Sequence, residues 1–155
     1  MSSRPSELIV QSFRNASRAY SDASVLMHEA IARKAGLSGT DHKYLGLIMD
    51  KGELSAGQLA DLTGLTTGAV TGLIDRLEKK KLVKRELDKN DRRKVLIMPN
   101  TPNAIRMLEP LFINLQQQTS ALVSSFTEGE IVTIERYFST AVKIMQGITE
   151  SMNEK

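Results

Sequence analysis

The 155-residue chain contains no cysteine, which excludes disulfides, a thiol redox switch and cysteine-based zinc sites. Its only two histidines, His28 and His42, are too few for a metal site within one subunit, and no cofactor is implied. No apolar run approaches the ~18 residues needed to span a bilayer. The polar stretch from Met1 to Glu7 lacks the apolar core of a secretory signal. A cytoplasmic protein without a membrane partner is therefore expected. Nucleophile–base spacing, a phosphate-binding glycine loop and a metal cluster are also missing, so catalysis is not expected.

Hydrophobic residues make up 41% of the chain and charged residues 25%, ordinary values for a folded protein. The length suits one compact domain or two small fused lobes. The net charge is only +3, but it is unevenly spread. Ten bases and four acids lie between Arg76 and Lys94, a local excess of +6 that leaves −3 for the remainder. Such a patch is either a polyanion-binding surface or a solvated charged face.

Apolar periodicity predicts a long first helix from about Ser6 to Ala35, with Ile9, Phe13, Ala16 and Tyr20 on one face. Gly36 and Gly39 are expected to end it, and Thr40-Asp41 to cap a second helix closed by Gly52. Ser55 with Gln58 has the spacing of a capping box for a short third helix. Thr63-Gly64-Leu65 is a tight break, and Thr66 or Thr67 caps a fourth helix reaching about Lys81. The period then becomes strand-like. Val83–Leu87 and Val95–Met98 flank a turn-rich basic segment, as in a β-hairpin. Two helices follow, with apolar residues alternating at three-four spacing, the pattern of helices packed side by side. Pro110 is placed to bend the first of these, and Thr127 with Glu130 forms a second capping box. Thr119 either fixes helix register or bonds its own helix.

Residues Ala56 to Asp75 have helix-turn-helix spacing. Ala60 is small where two helices cross, Gly64 supplies the left-handed turn, and Val70 and Leu73 point back against Leu59 and Leu62. A basic hairpin directly after such a unit makes a winged helix: the helix enters the major groove and the wing reaches the backbone or minor groove. Arginine suits a wing tip because the narrow minor groove is strongly negative and guanidinium is weakly hydrated.

Over nearly its whole length the chain resembles the MarR (multiple antibiotic resistance regulator) transcription factors. The most specific stretch runs from Leu65 to Glu78, followed by Leu82-Val83-Lys84-Arg85. The wing segment Asp88 to Arg93 is similar to the family's wing signature, an aspartate two positions before an arginine, here Asp91 and Arg93. The resemblance implies a mainly α fold with a small β-wing: a winged helix-turn-helix lobe (37–101) flanked by N- and C-terminal dimerisation helices (1–36 and 102–155). It implies an obligate homodimer that binds double-stranded DNA and controls nearby genes, often released by a small phenolic or other aromatic effector. Two positions depart from the family pattern. Gly72 follows Thr71 where an arginine or other large polar residue is common. Lys81 stands where a glycine usually precedes the leucine, which implies a less comfortable backbone or a helix end shifted by one residue.

The candidate DNA contacts are therefore Thr66, Thr67, Gly68, Thr71, Gly72 and Arg76 on the fourth helix and Ser55 at the third helix's N-terminus. Those on the wing are Lys84, Arg85, Asp91, Arg92, Arg93 and Lys94. Thr66 or Thr67 either contacts DNA or serves only as a cap, and Arg76 either touches phosphate or pairs with Asp75 or Glu78. Arg93 is the expected minor-groove finger, aimed by Asp91. Met27, His28, Tyr44 and Met49 either line an effector pocket between the lobes or pack as core. With so few bases on the fourth helix, a winged-helix adaptor for protein contact or ligand sensing stays open beside the DNA-binding reading.

Overall fold

The computed structural model describes residues 4–91 and 93–153. Helix α1 (Glu7–Lys34) starts at Ser6, whose side chain accepts the Ile9 N–H, with Glu7 in its first turn and Arg33 and Lys34 in its last. These charges complement the helix dipole. It ends in a Schellman motif: Leu37 N–H donates to Ala32 O (2.8 Å) and Gly36 N–H to Arg33 O (3.1 Å), with Gly36 at φ 68°.

Helix α2 (Gly39–Lys51) is capped by Ser38, whose Oγ accepts the Asp41 N–H at 3.0 Å. The expected Thr40-Asp41 cap is thus corrected. Gly39 begins α2 rather than ending α1, because Ser38 takes the extended backbone a cap requires. Gly52 closes α2 at φ 82°.

A two-residue strand, β1 (Leu54–Ser55), precedes α3 (Ala56–Thr63). The Ser55–Gln58 capping box forms with both bonds present. Gly64 makes the turn at φ 70°. Thr66 then caps α4 (Thr67–Lys79), which stops two residues short of the expected Lys81. The hairpin strands are β2 (Val83–Leu87) and β3 (Val95–Pro99). β1 adds to the free side of β3, pairing Leu54 with Ile97 and Ser55 with Leu96, so the sheet order is β1-β3-β2.

The core joins Leu45 and Ile48 of α2, Leu59 of α3 and the inner stripe of α4 (Val70, Leu73, Ile74, Leu77) to Leu82 and Ile97. Ala32 of α1 and an alanine of the next helix, Ala104, close it from the other side. Leu62 was expected in the α3–α4 angle but is 45% exposed. It faces away from that angle, along a groove shared with Val142 and Met145.

Helix α5 (Thr101–Val123) begins at the Asn100 cap and carries Pro110 inside it. The Thr119 hydroxyl donates to Leu115 O in its own helix, at 2.7 Å. Helix α6 (Glu128–Asn153) follows the reciprocal Thr127–Glu130 capping bonds. Phe13 of α1 meets Tyr137 of α6 edge-on at 4.8 Å, and Ser17 hydrogen-bonds the Tyr137 hydroxyl at 3.0 Å. No described residue of α6 is buried, and Phe138, Ile144, Met145 and Ile148 are exposed. No described helix is long and apolar enough to cross a membrane.

Helix α4 ends in the same motif as α1, with one difference. Leu82 N–H donates to Leu77 O (3.0 Å) and Lys81 N–H to Glu78 O (2.8 Å), but the left-handed position holds Lys81 at φ 58°. It is the sole positive-φ residue other than glycine among those described. A Cβ there costs roughly 1–2 kcal/mol, partly offset because glycine loses more chain entropy on folding. Lys81→Gly is expected to raise stability by about 0.5–1 kcal/mol. It should do so as a higher urea midpoint at unchanged slope. A lower midpoint would show that the lysine side chain contributes more than its backbone costs.

Candidate nucleic-acid interface

The start of α4 is open to solvent. Thr66 Oγ1 accepts the Ala69 N–H (3.3 Å), while Thr67, Gly68 and Thr71 are exposed beside it. An added Cβ at Gly68 would meet nothing within 4 Å. Free N–H groups and the positive end of the dipole give a helix N-terminus an electrostatic preference for anions. The Thr71 hydroxyl donates to Thr67 O (3.0 Å), leaving its oxygen lone pairs to accept from outside. Ser55 is half-buried and spends its hydroxyl on the α3 cap.

Two of the candidate arginines are held by carboxylates within the lobe. Arg76 pairs with neither Asp75 nor Glu78. Its Nε donates to both carboxylate oxygens of Asp41 (3.2 and 3.0 Å), and its Nη2 donates to Oδ1 (2.7 Å). Asp41 is buried, lies in the first turn of α2, and was not singled out from the sequence as a partner for α4. No local pattern signals a contact across 35 residues. Arg85 bonds Glu78 and Asp75, and its backbone N–H also donates to Glu78 Oε1 (3.1 Å). It thereby ties β2 to α4. Lys84 pairs with Glu86 on its own strand.

The wing tip is built differently. Asp88 Oδ1 accepts the Asn90 N–H (2.7 Å), Asp88 N–H donates to Lys94 O (2.9 Å), and Lys94 N–H donates to Asp91 O (2.8 Å). Asp91 Oδ1 accepts the Arg93 backbone N–H at 3.1 Å, whereas the Arg93 Nε lies 3.9 Å away. Asp91 therefore fixes the backbone under Arg93 more than its guanidinium. That side chain is 97% exposed. Lys89 and Lys94 are exposed on the same loop, and Arg92 lies outside the described residues.

The four residues expected to line an effector pocket do not share a cavity. His28 lines a cleft of about 620 Å³ between α1 and α2, with Glu29, His42 and Lys43 also on its walls. Met27 faces a different groove, against α5, and Tyr44 a third, near Thr149 of α6. Met49 packs against the core. Adjacent helix positions point about 100° apart, and here Met27 and His28 open on different grooves. His28, His42 and Phe112 instead form an aromatic cluster, with His42 stacked on Phe112 at 6.1 Å and 14°. Burial, then the nearby His28, holds the His42 imidazole below its ordinary value.

A helix-turn-helix followed by a hairpin with an exposed cationic tip defines a winged helix. The family model described as "MarR family" matches residues 35–94. The chain is 40% identical over 131 residues to the HTH-type transcriptional regulator YcgE of Bacillus subtilis (strain 168), covering 84% of each protein. It shares its fold with a mutant of MepR from S. aureus (TM-score 0.72, 20% identity, covering 86% of this chain and 96% of that one). A MepR mutant bound to oligodeoxyribonucleotide has the same fold (TM-score 0.58, 20% identity, 86% and 97% covered). The chain belongs to the MarR family of transcriptional regulators.

The depressed His42 gives a signed expectation. The unfolded chain protonates this imidazole near its ordinary 6.5, the folded chain only at lower pH. Below about pH 6.5 the unfolded state therefore binds more protons, and stability falls as pH drops; above it this contribution is constant. The urea midpoint of the wild type is expected to fall more between about pH 7.5 and pH 5.5 than that of His42→Gln. Equal falls would place the pH sensitivity elsewhere.

Proposed function

We propose that this regulator binds a pseudo-palindromic operator in double-stranded DNA as a homodimer and represses the adjoining genes. The observation that carries the reading is the pairing, within one lobe, of an open α4 N-terminus with a wing tip on which the Arg93 side chain is 97% exposed. Thr66, Thr67 and Thr71 meet base edges or phosphates, Gly68 allows close backbone approach, and Arg93 enters the minor groove. Lys94 and Arg92 contact phosphate. With Arg76, Arg85 and Lys84 each already holding a carboxylate, base readout rests on short side chains and on DNA shape.

Residues 37–101 form the DNA-binding lobe, and 1–36 with 102–155 form the dimer interface. The second copy covers the apolar faces of α1, α5 and α6, where side chains such as Ile9, Phe13, Leu122 and Ile148 stand exposed in the single chain. The protein acts in the cytoplasm and without catalysis. A small aromatic effector releases it by favouring an arrangement of the two lobes that does not fit DNA.

Selection from random duplexes at two salt concentrations tests this directly. The expected result is an enriched inverted repeat with half-sites about one helical turn (~10 bp) apart. Affinity should fall steeply as salt rises. Arg93→Ala is expected to weaken binding about tenfold or more, the range of one good charged contact, with no change in thermal stability. Binding that tolerates this change would leave the wing without its assigned role. Absence of any DNA binding would favour a protein-contact adaptor.

A further inference from the structure

We infer that Asp41, acting through Arg76, is a positioning residue that sets the orientation of the recognition helix and hence operator discrimination, and that Arg76 is not itself a DNA contact. The inference rests on the DNA-binding reading above and assigns a mechanism within that site.

Asp41 is the one buried charged residue among those described, with 4% exposure. A buried carboxylate must be compensated by hydrogen bonds or a counter-charge. Part of that compensation comes from its place in the first turn of α2, at the positive end of the helix. All of its side-chain hydrogen bonds among the described residues come from Arg76, three in number and side-on through Nε and Nη2. This fork constrains both the distance and the rotation of the guanidinium, which a single-point contact would not. Because Arg76 belongs to α4, the constraint passes to the recognition helix.

Gly72 explains how the arginine, its own side chain still 55% exposed, lies along the helix surface to reach Asp41. It lies one turn before Arg76, and a Cβ built there would stand 3.4 Å from Nη1. The guanidinium thus lies back over the bare Gly72 backbone. A long side chain at 72 would contest that space, and a basic one would add like-charge repulsion at i, i+4. The departure at position 72 and the Arg76–Asp41 fork are therefore one arrangement: a half-exposed arginine is held against α2 and fixes the helix.

The test compares wild type, Asp41→Asn, Arg76→Lys and Gly72→Arg, each first confirmed folded by circular dichroism. Affinities for the selected operator and for a scrambled duplex are measured across a salt series. Amide hydrogen exchange is measured on the free proteins. Asp41→Asn and Arg76→Lys are expected to lower operator affinity about tenfold, the scale of one charge-assisted hydrogen bond. Binding to scrambled duplex should stay within about twofold, with an unchanged salt slope, since no phosphate contact is lost. Exchange should quicken in the first turn of α2 and along α4. Gly72→Arg should show the same exchange pattern.

Three results overturn the inference. One is a salt slope shallower by ~0.9 in an Arg76→Gln control with slow exchange retained, which makes Arg76 a phosphate contact. Another is unchanged discrimination in Asp41→Asn. The third is unchanged exchange in both Asp41→Asn and Arg76→Lys. A wild type that does not distinguish operator from scrambled duplex would instead refute the operator reading, and the exchange arm would still decide whether the pair positions α4.

Discussion

The burial of one stripe of α4 governs the rest of the site. Val70, Leu73, Ile74 and Leu77 are all at most 2% exposed. Each such side chain contributes roughly 1.5–3 kcal/mol, whereas an exposed ion pair contributes about 0–1 kcal/mol. Packing therefore decides which face of α4 is inside, and Thr67, Gly68 and Thr71 point outward as its consequence. The ion pairs act on a finer scale. They adjust tilt and rotation within the seat that packing provides, which is the scale on which helix readout of a groove operates.

This division changes how the basic patch should be counted. The +6 excess between Arg76 and Lys94 suggests a broad cationic surface. In the folded chain Arg76, Arg85 and Lys84 are each matched to a carboxylate. The remaining bases divide between the end of α4, where Lys79, Lys80 and Lys81 are exposed, and the wing tip, on a loop with backbone and aspartate hydrogen bonds. A preorganised tip loses little entropy when it docks, and a single arginine in a narrow groove counts for more than several solvated lysines.

Much of this was legible in the sequence, because local chemistry fixes local structure. Ser6, Ser55, Thr66 and Thr127 each satisfy helix N–H groups within three residues, and the hairpin is marked by its change of period. The strain at Lys81 was implied by the family resemblance, in which a glycine usually holds that position. What escaped were contacts whose partners are remote or whose elements are short. β1 has two residues, too few for any alternation, and exists only because β3 offers a free edge. Asp41 looked like a capping residue because acids are common in a first turn, while Ser38 held that role. The dispersal of Met27, His28, Tyr44 and Met49 depends on helix phase and neighbouring helices, which residue identity does not encode.

The cluster of His28, His42 and Phe112 bears on how the two ends of the chain communicate with the lobe between them. Each residue comes from a different helix, α1, α2 and α5, and the core beside them is closed by Ala32 and Ala104, both fully buried. Small residues at those crossings let the flanking helices approach closely, so a shift of α1 or α5 is resisted by hard contact and passed on to α2. Asp41 precedes His42 on α2 and grips α4 through Arg76. Packed side chains and one bidentate ion pair are thus contiguous from the flanking helices to α4. Occupancy of the α1–α2 cleft is not enough to use this contiguity. A ligand that contacts both arrangements of the helices equally shifts neither, however tightly it binds. Only a molecule whose contacts with the α1 side and the α2 side differ between the two arrangements can move α4.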